Sequence, residues 1–182
     1  MVYVMIYTDP STGLYAADGP VTSGEMFAFI CRVGRAEGPA VLSDLDAAEL
    51  LGEDTLAAVL PVVWSWAEFP AQAVDQDTWA AWFEQAGYRD ATGDVLPRPE
   101  QLRLYRGCSP DEQADGWGMS WTSDLDTARR FARRNRGQVF TAEVPGYMLL
   151  ADLTSDPRSE GEYIVSGVEL DGVELLDEEL AA

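Results

Sequence analysis

The chain has 182 residues, 32 acidic and 12 basic side chains and a formal net charge of −20. That length suits one domain or at most two small ones, and a content of 47% hydrophobic and 10% aromatic residues supplies a packed core, which excludes a wholly disordered chain. So acidic a chain repels nucleic acid and anionic membranes wherever no local patch reverses the sign.

Missing residue types narrow the chemistry further. There is no histidine, and every basic residue is an arginine. This removes histidine general bases, Ser–His and Cys–His pairs, Schiff-base lysines and the lysine of a phosphate-cradling Walker loop. Cys31 and Cys108 lie far apart with no histidine to join them, a poor zinc ligand set, and they read as buried or free thiols in a reducing compartment. The opening Met1-Val-Tyr-Val-Met-Ile-Tyr-Thr8 is too short and lacks the basic flank of a signal peptide. No apolar run reaches the roughly eighteen residues of a membrane span. A cytoplasmic protein without a membrane partner is therefore expected, its chemistry resting on carboxylates, arginine, hydroxyls and aromatics.

In chain order, Val2–Tyr7 reads as a strand closed by Asp9-Pro10, and residues 11–22 as a loop. Ser23 is placed to cap a helix through Val33 with Met26, Phe27, Ile30 and Val33 on one face. Ser43 and Asp46 suggest a cap for a helix carrying Leu45, Leu50 and Leu51, and another through Leu56, Val59 and Leu60 is expected to end at Pro61. Trp64, Trp66 and Phe69 read as core filling. Thr78–Ala86 forms an amphipathic helix presenting Trp79, Trp82 and Phe83, stopped by Gly87, and Asp90–Glu100 is a loop.

The second half is richer in strands. They are expected at Leu102–Tyr105, Met119–Thr122, Val139–Val144, Tyr147–Leu153 and Glu162–Val165, with Val168–Leu170 and Val173–Leu175 flanking the turn signal Asp171-Gly172. A loop from Gly107 to Gly118 follows the first. Ser123 is placed to cap a helix with Asp124 and Asp126 in its first turn and Leu125, Ala128, Phe131 and Ala132 as its buried stripe. Helices first and strands later predict an α+β class.

Three separated pieces of this half carry chemistry together: Leu104-Tyr-Arg-Gly107, then Met119-Ser-Trp-Thr-Ser123 leading into Ala128-Arg-Arg-Phe-Ala132, then Arg158-Ser-Glu-Gly-Glu-Tyr-Ile-Val165. In order and spacing they resemble the Arg–Ser–Glu class of mono-ADP-ribosyltransferases, over roughly residues 100–170. The resemblance implies a split β-sheet core at 100–182, with residues 1–99 as a strand and helical portion packed on it. It also implies NAD as substrate, no metal, and transfer of ADP-ribose to a macromolecule, a protein in the first place and a nucleic acid in the second. The catalytic residues implied are Glu162 and Glu160; the NAD-binding ones are Arg106, Gly107, Ser120, Thr122 and Tyr105.

The residue chemistry suits these roles. Arg106 can present a planar fork of donors to phosphate or ribose oxygens, although a structural ion pair would use it equally. Ser120 and Thr122, two apart on a strand, share a face. A carboxylate at Glu162 can stabilise the oxocarbenium character that develops as nicotinamide leaves. Glu160, two residues earlier on the same face, can orient an acceptor and take its proton, and the resemblance links a glutamate there with arginine acceptors. The segment Asp152–Ser159, with Asp152, Asp156 and Arg158, corresponds to the family's substrate-recognition loop. Tyr105, Trp121, Phe131 and Tyr147 are aromatics near the motifs, each read as core in the first instance.

Five of the twelve arginines, Arg129, Arg130, Arg133, Arg134 and Arg136, crowd into one stretch. This local inversion of sign reads as a solvated outer helix face, with a docking surface for an acidic partner or nucleic acid as the other reading. Two rival functions share the sequence: an NAD glycohydrolase using the same site, and a catalytically silent acidic protein that binds or imitates nucleic acid.

Overall fold

The computed structural model describes residues 4–67, 69–109, 117–158, 160–167 and 170–176. Helices and a mixed seven-stranded sheet place the chain in the α+β class. It divides into two compact units, Met1–Gly87 and Tyr88–Ala182, a break that falls earlier than the boundary at 100 read from sequence. The cause is β3 (Arg89–Asp90), which ends at the first residue of the expected loop and pairs in parallel with β7 (Leu149–Asp152).

The first unit opens with an antiparallel pair, β1 (Ile6–Thr8) and β2 (Tyr15–Ala17). Residues 1–3 of the expected first strand lie outside the described residues, and β2 falls where a loop is expected. Its three residues carry no β-branched side chain, and long-range bonds hold the pair instead. The Tyr15 amide donates to Asp44 Oδ2 and the Met5 amide to Asp18 Oδ1, both at 2.8 Å. Local pattern contains no trace of such bonds.

Helix α1 (Ser23–Val33) has the expected extent, but its cap is Thr22, one residue earlier. Thr22 and Glu25 form a reciprocal capping box, which requires the three-residue spacing that Ser23 lacks. Its buried residues are Met26, Phe29 and Ile30, while Val33 is exposed. Helix α2 (Gly38–Ala47) starts at Gly38-Pro39, where the proline ring presets the first turn, so Ser43 is interior and Leu50 and Leu51 lie past its end.

Helix α3 (Glu53–Trp66) runs through Pro61 instead of ending there. A proline inside a helix forfeits one backbone bond and costs about 3 kcal/mol. Here Val59, Leu60, Val63 and Trp64 are all buried on either side of it, and that packing carries the helix across. After α4 (Pro70–Ala73), helix α5 (Gln76–Ala86) is capped by Asp75, which accepts from the Thr78 amide at 2.9 Å. Trp79, Trp82 and Phe83 are buried as expected; of the aromatics before them Trp64 is buried and Phe69 exposed. Trp79 meets Trp64 and Trp82 edge-on, with ring centroids at 5.0 and 5.2 Å. The indole N–H groups of Trp79 and Trp82 donate to the Pro70 carbonyl and the Asp46 carboxylate, at 3.0 and 2.8 Å.

The second unit is built on a sheet of order β3-β7-β8-β5-β4-β6-β9. Its remaining strands are β4 (Gln101–Cys108), β5 (Ser120–Thr122), β6 (Gln138–Pro145), β8 (Glu162–Val165) and β9 (Glu174–Leu175). Strand β4 extends three residues past the expected end, into what reads as a loop, because all eight of its residues pair with β6. A 3-10 turn, Gly146–Met148, precedes β7 where strand is expected from Tyr147. Gly172 makes the expected turn at φ 68°, yet β9 pairs with β6, and Val168 and Glu169 lie outside the described residues. One core gathers Leu104, Trp121, Ala142, Val144, Leu149 and Val165. A second joins Ala128 and Ala132 of helix α6 (Leu125–Arg134) to Val139.

The cap of α6 is Asp124 rather than Ser123; it accepts from the Asp126 amide at 2.9 Å and from Thr127 Oγ1 at 3.0 Å. Neither cysteine is in a disulfide among the described residues; Cys31 is exposed and Cys108 buried. Among the described residues no helix is long and apolar enough to cross a membrane.

Candidate functional site

A cavity of about 190 Å³ opens where β4 and β5 part. The two strands share a single paired position, Tyr105 opposite Thr122, whereas β5 and β8 pair along three: Ser120 with Ile164, Trp121 with Tyr163, and Thr122 with Glu162. Directly opposed residues share a sheet face, so Thr122 and Glu162 project together and Ser120 lies diagonally beside Glu162. Ser120 Oγ donates to Glu162 Oε1 at 2.7 Å. The Arg106 guanidinium donates from Nη1 to the Ser120 carbonyl, in the gap the short ladder leaves.

Tyr105, Arg106, Gly107, Ser120, Thr122, Glu160 and Glu162, the seven candidates named from sequence, all line this cavity. Two of them sit there for reasons the sequence did not supply. A Cβ on Gly107 would fall 1.9 Å from the Ala128 carbonyl oxygen and 2.5 Å from the Ala132 nitrogen. Gly107 is therefore what lets α6 lie against β4, whatever else it touches. Glu160 precedes β8, and Gly161 between the glutamates has φ 58°. Strand alternation therefore does not place Glu160, contrary to the same-face expectation. It is held instead through its backbone: Thr122 Oγ1 donates to the Glu160 carbonyl at 2.6 Å, and the Ser123 amide to the Gly161 carbonyl at 2.9 Å.

Thr127, Phe131 and Asn135 complete the α6 wall. Their spacing of four is one helical face, a signal present in the sequence but read only for its apolar members. Phe131 is half-buried on the cavity, while Trp121, which also reaches it, belongs to the core, its indole donating to the Gly118 carbonyl at 3.0 Å. Tyr147, 76% exposed, is not part of the lining.

Among the described residues three polar or charged side chains are buried, Thr122, Thr127 and Glu162, and all three line the cavity. Glu162 keeps its place there because both carboxylate oxygens have donors. Oε2 accepts from Arg158 Nη2 at 2.6 Å. Arg158 also places Nε 2.9 Å from Asp156 Oδ1 and Nη1 3.8 Å from Glu160 Oε2. Burial works against the Arg158 charge, but Glu162, Asp156 and Glu160 outweigh it and hold the guanidinium above its ordinary value. The sequence places Arg158 in a recognition loop; its contact with both glutamates depends on the conformation of that loop, which no local pattern encodes.

Of the basic stretch, Arg129 pairs with Asp126 at 3.2 Å, and Arg130 reaches Thr127 Oγ1 at 3.4 Å. Arg130, Arg133, Arg134 and Arg136 are exposed. No group of three or more metal-ligating side chains suited to an ion occurs among the described residues. Comparisons of the chain with protein-family models, with curated proteins and with solved structures returned no match.

Proposed function

We propose that this chain is a mono-ADP-ribosyltransferase that moves ADP-ribose from NAD to a macromolecular acceptor, with arginine side chains as the acceptor class, and that its second unit is a split-sheet core of the Arg–Ser–Glu kind. The observation that carries the reading is the part-buried Ser120–Glu162 hydrogen bond with the Arg106 guanidinium on the Ser120 carbonyl, in one cavity with Glu160. Residues distant along the chain thus meet at one cavity, which supports the reading.

In this mechanism Arg106 offers donors to phosphate or ribose oxygens of NAD. Glu162, oriented by Ser120, accepts from a ribose hydroxyl, and its charge counts for most as the anomeric carbon becomes cationic in a site shielded from water. The bond from that carbon to the nicotinamide nitrogen breaks and nicotinamide leaves. An acceptor guanidinium nitrogen bonds to the same carbon and gives its proton to Glu160, which serves as general base. Every group here is a carboxylate, hydroxyl or arginine, the set left once histidine and lysine are absent. Ligand pockets usually hold about 300–1,000 Å³, so the cavity suits the reacting end of a dinucleotide, with the rest of NAD lying outside it.

The test is incubation with NAD labelled in its adenylate half, together with a host lysate, following nicotinamide release and label on macromolecules. Release with label on protein supports transfer. Release with free ADP-ribose alone reassigns the same site to hydrolysis. No release, together with no NAD binding by calorimetry, overturns the reading in favour of a silent acidic binding protein.

A further inference from the structure

The three carboxylates around Arg158 form a site for a guanidinium, and the chain fills it with its own. The Nε, Nη1 and Nη2 atoms face Asp156 at 2.9 Å, Glu160 at 3.8 Å and Glu162 at 2.6 Å, each a different acid. A planar fork of donors is the shape that suits this set, and an ammonium would engage fewer of them at once. Glu162 has two kinds of anchor. Its Oε1 is held by Ser120, from a neighbouring strand, whereas its Oε2 is held by a side chain that is 36% exposed. Withdrawal of Arg158 would free Oε2 while leaving Glu162 its bond to Ser120. Arg158 is not among the residues lining the cavity, although both glutamates it touches are.

Resting on the proposed transferase reading, we propose that Asp156, Glu160 and Glu162 are a guanidinium cradle that Arg158 occupies from within the chain. An acceptor arginine enters by displacing Arg158, and water is denied the same carboxylates until it does. Arg158 is then a specificity-determining residue. It favours transfer, in which an acceptor nitrogen bonds to the anomeric carbon and yields its proton to Glu160. It suppresses hydrolysis, in which a water oxygen forms that bond and yields its proton to the same carboxylate, nicotinamide leaving in both.

The experiment measures nicotinamide release from NAD by the full chain, without acceptor and over a range of agmatine, a small guanidino acceptor, for wild type, Arg158→Gln, Arg158→Lys and Asp156→Asn. In Arg158→Gln, acceptor-free release should rise by about tenfold, as loss of one charge-assisted contact allows, while the KM for agmatine falls by a smaller factor with kcat for transfer little changed, so that the share of turnover going to transfer drops. Arg158→Lys should lie between that variant and wild type. Asp156→Asn, which loosens Arg158 while leaving it and both glutamates in the chain, should raise acceptor-free release by less without lowering the KM for agmatine, because the cradle loses one of its acids, and its release carries the test if the melting curve shows that Arg158→Gln does not fold. A parallel fall in hydrolysis and transfer at unchanged KM would make Arg158 a mere positioning residue for Glu162 and overturn the proposal, as would variants indistinguishable from wild type. Wild type that turns over NAD beside such variants overturns this inference alone. Wild type that neither binds NAD nor releases nicotinamide overturns the transferase reading and this inference with it.

Discussion

The two units are stabilised by opposite means. In the first, every buried side chain among the described residues is apolar or aromatic, centred on Trp64, Trp79, Trp82 and Phe83. In the second, an apolar core lies beside a cavity that buries Thr122, Thr127 and Glu162. An ionised or hydroxyl group withdrawn from water costs free energy unless its partners are supplied, and here Ser120, Arg158, Asp124 and the Glu160 carbonyl supply them. Stability in one unit is a matter of volume and shape; in the other a part of it depends on donors and acceptors meeting. The contrast locates chemistry without reference to any motif, since a fold retains a buried carboxylate only where its neighbours are organised around it.

Four substitutions separate the two modes. Trp79→Ala strikes the aromatic cluster at its centre and should lower stability by about 3–5 kcal/mol, with amide protection lost across α3 and α5 in hydrogen exchange. A loss below about 1 kcal/mol would mean that the cluster is not a packed core. Glu162→Gln keeps the shape but replaces the charge-assisted bond to Arg158 by a neutral one, so stability should fall by about 1 kcal/mol with the fold retained. Nicotinamide release should nevertheless fall by roughly 10²–10³-fold, the magnitude for one electrostatic stabiliser of a transition state. Wild-type turnover in that variant would place the chemistry elsewhere.

Gly107→Ala tests the seam between β4 and α6. The methyl group meets helix backbone rather than a yielding side chain, and the expected cost is about 1–3 kcal/mol, read from denaturant midpoints. An unchanged midpoint would show that α6 does not lie as close as described. The smallest effect belongs to Asp124→Ala at the α6 cap, about 1 kcal/mol at neutral pH. The Thr127 hydroxyl first, and then the Asp126 amide, hold the Asp124 carboxyl below its ordinary range. Its contribution is therefore complete above the unfolded value of about 3.9 and is lost as pH falls through the lower folded value. The gap between wild type and variant should close on acidification, and a gap that widened would contradict the sign.

Much of this was legible along the chain. Elements whose signal is local agree with the structure: β8 has its expected bounds, α1 its expected extent, and α5 its buried aromatic face. The departures arise where distant residues decide. Carboxylates from other elements create the pairing of β2, burial on both sides of Pro61 overrides a breaker, and β6 lengthens β4. The candidate site divides in the same way. Arg106, Ser120 and Glu162 could be named because their spacing pattern survives in one dimension. The grip of Arg158 on both glutamates could not, because a loop conformation brings it into place, whereas Asn135 carries a helical-face spacing that its apolar neighbours obscure. For Glu160 the residue was named but the reason was wrong: the glycine beside it, not strand alternation, turns it toward the cavity.

The seven-stranded sheet terminates at each side in a strand of two residues, β3 and β9. A sheet border is ordinarily a template on which a foreign chain can extend the ladder, and proteins that leave it long and flat risk aggregation. Among the described residues the end strands themselves offer an incoming strand two residues each to register against, and a charge of −20 pushes copies of the molecule apart before they meet. Edge-on polymerisation is thus opposed once by shape and once by repulsion, and salt can remove only the second.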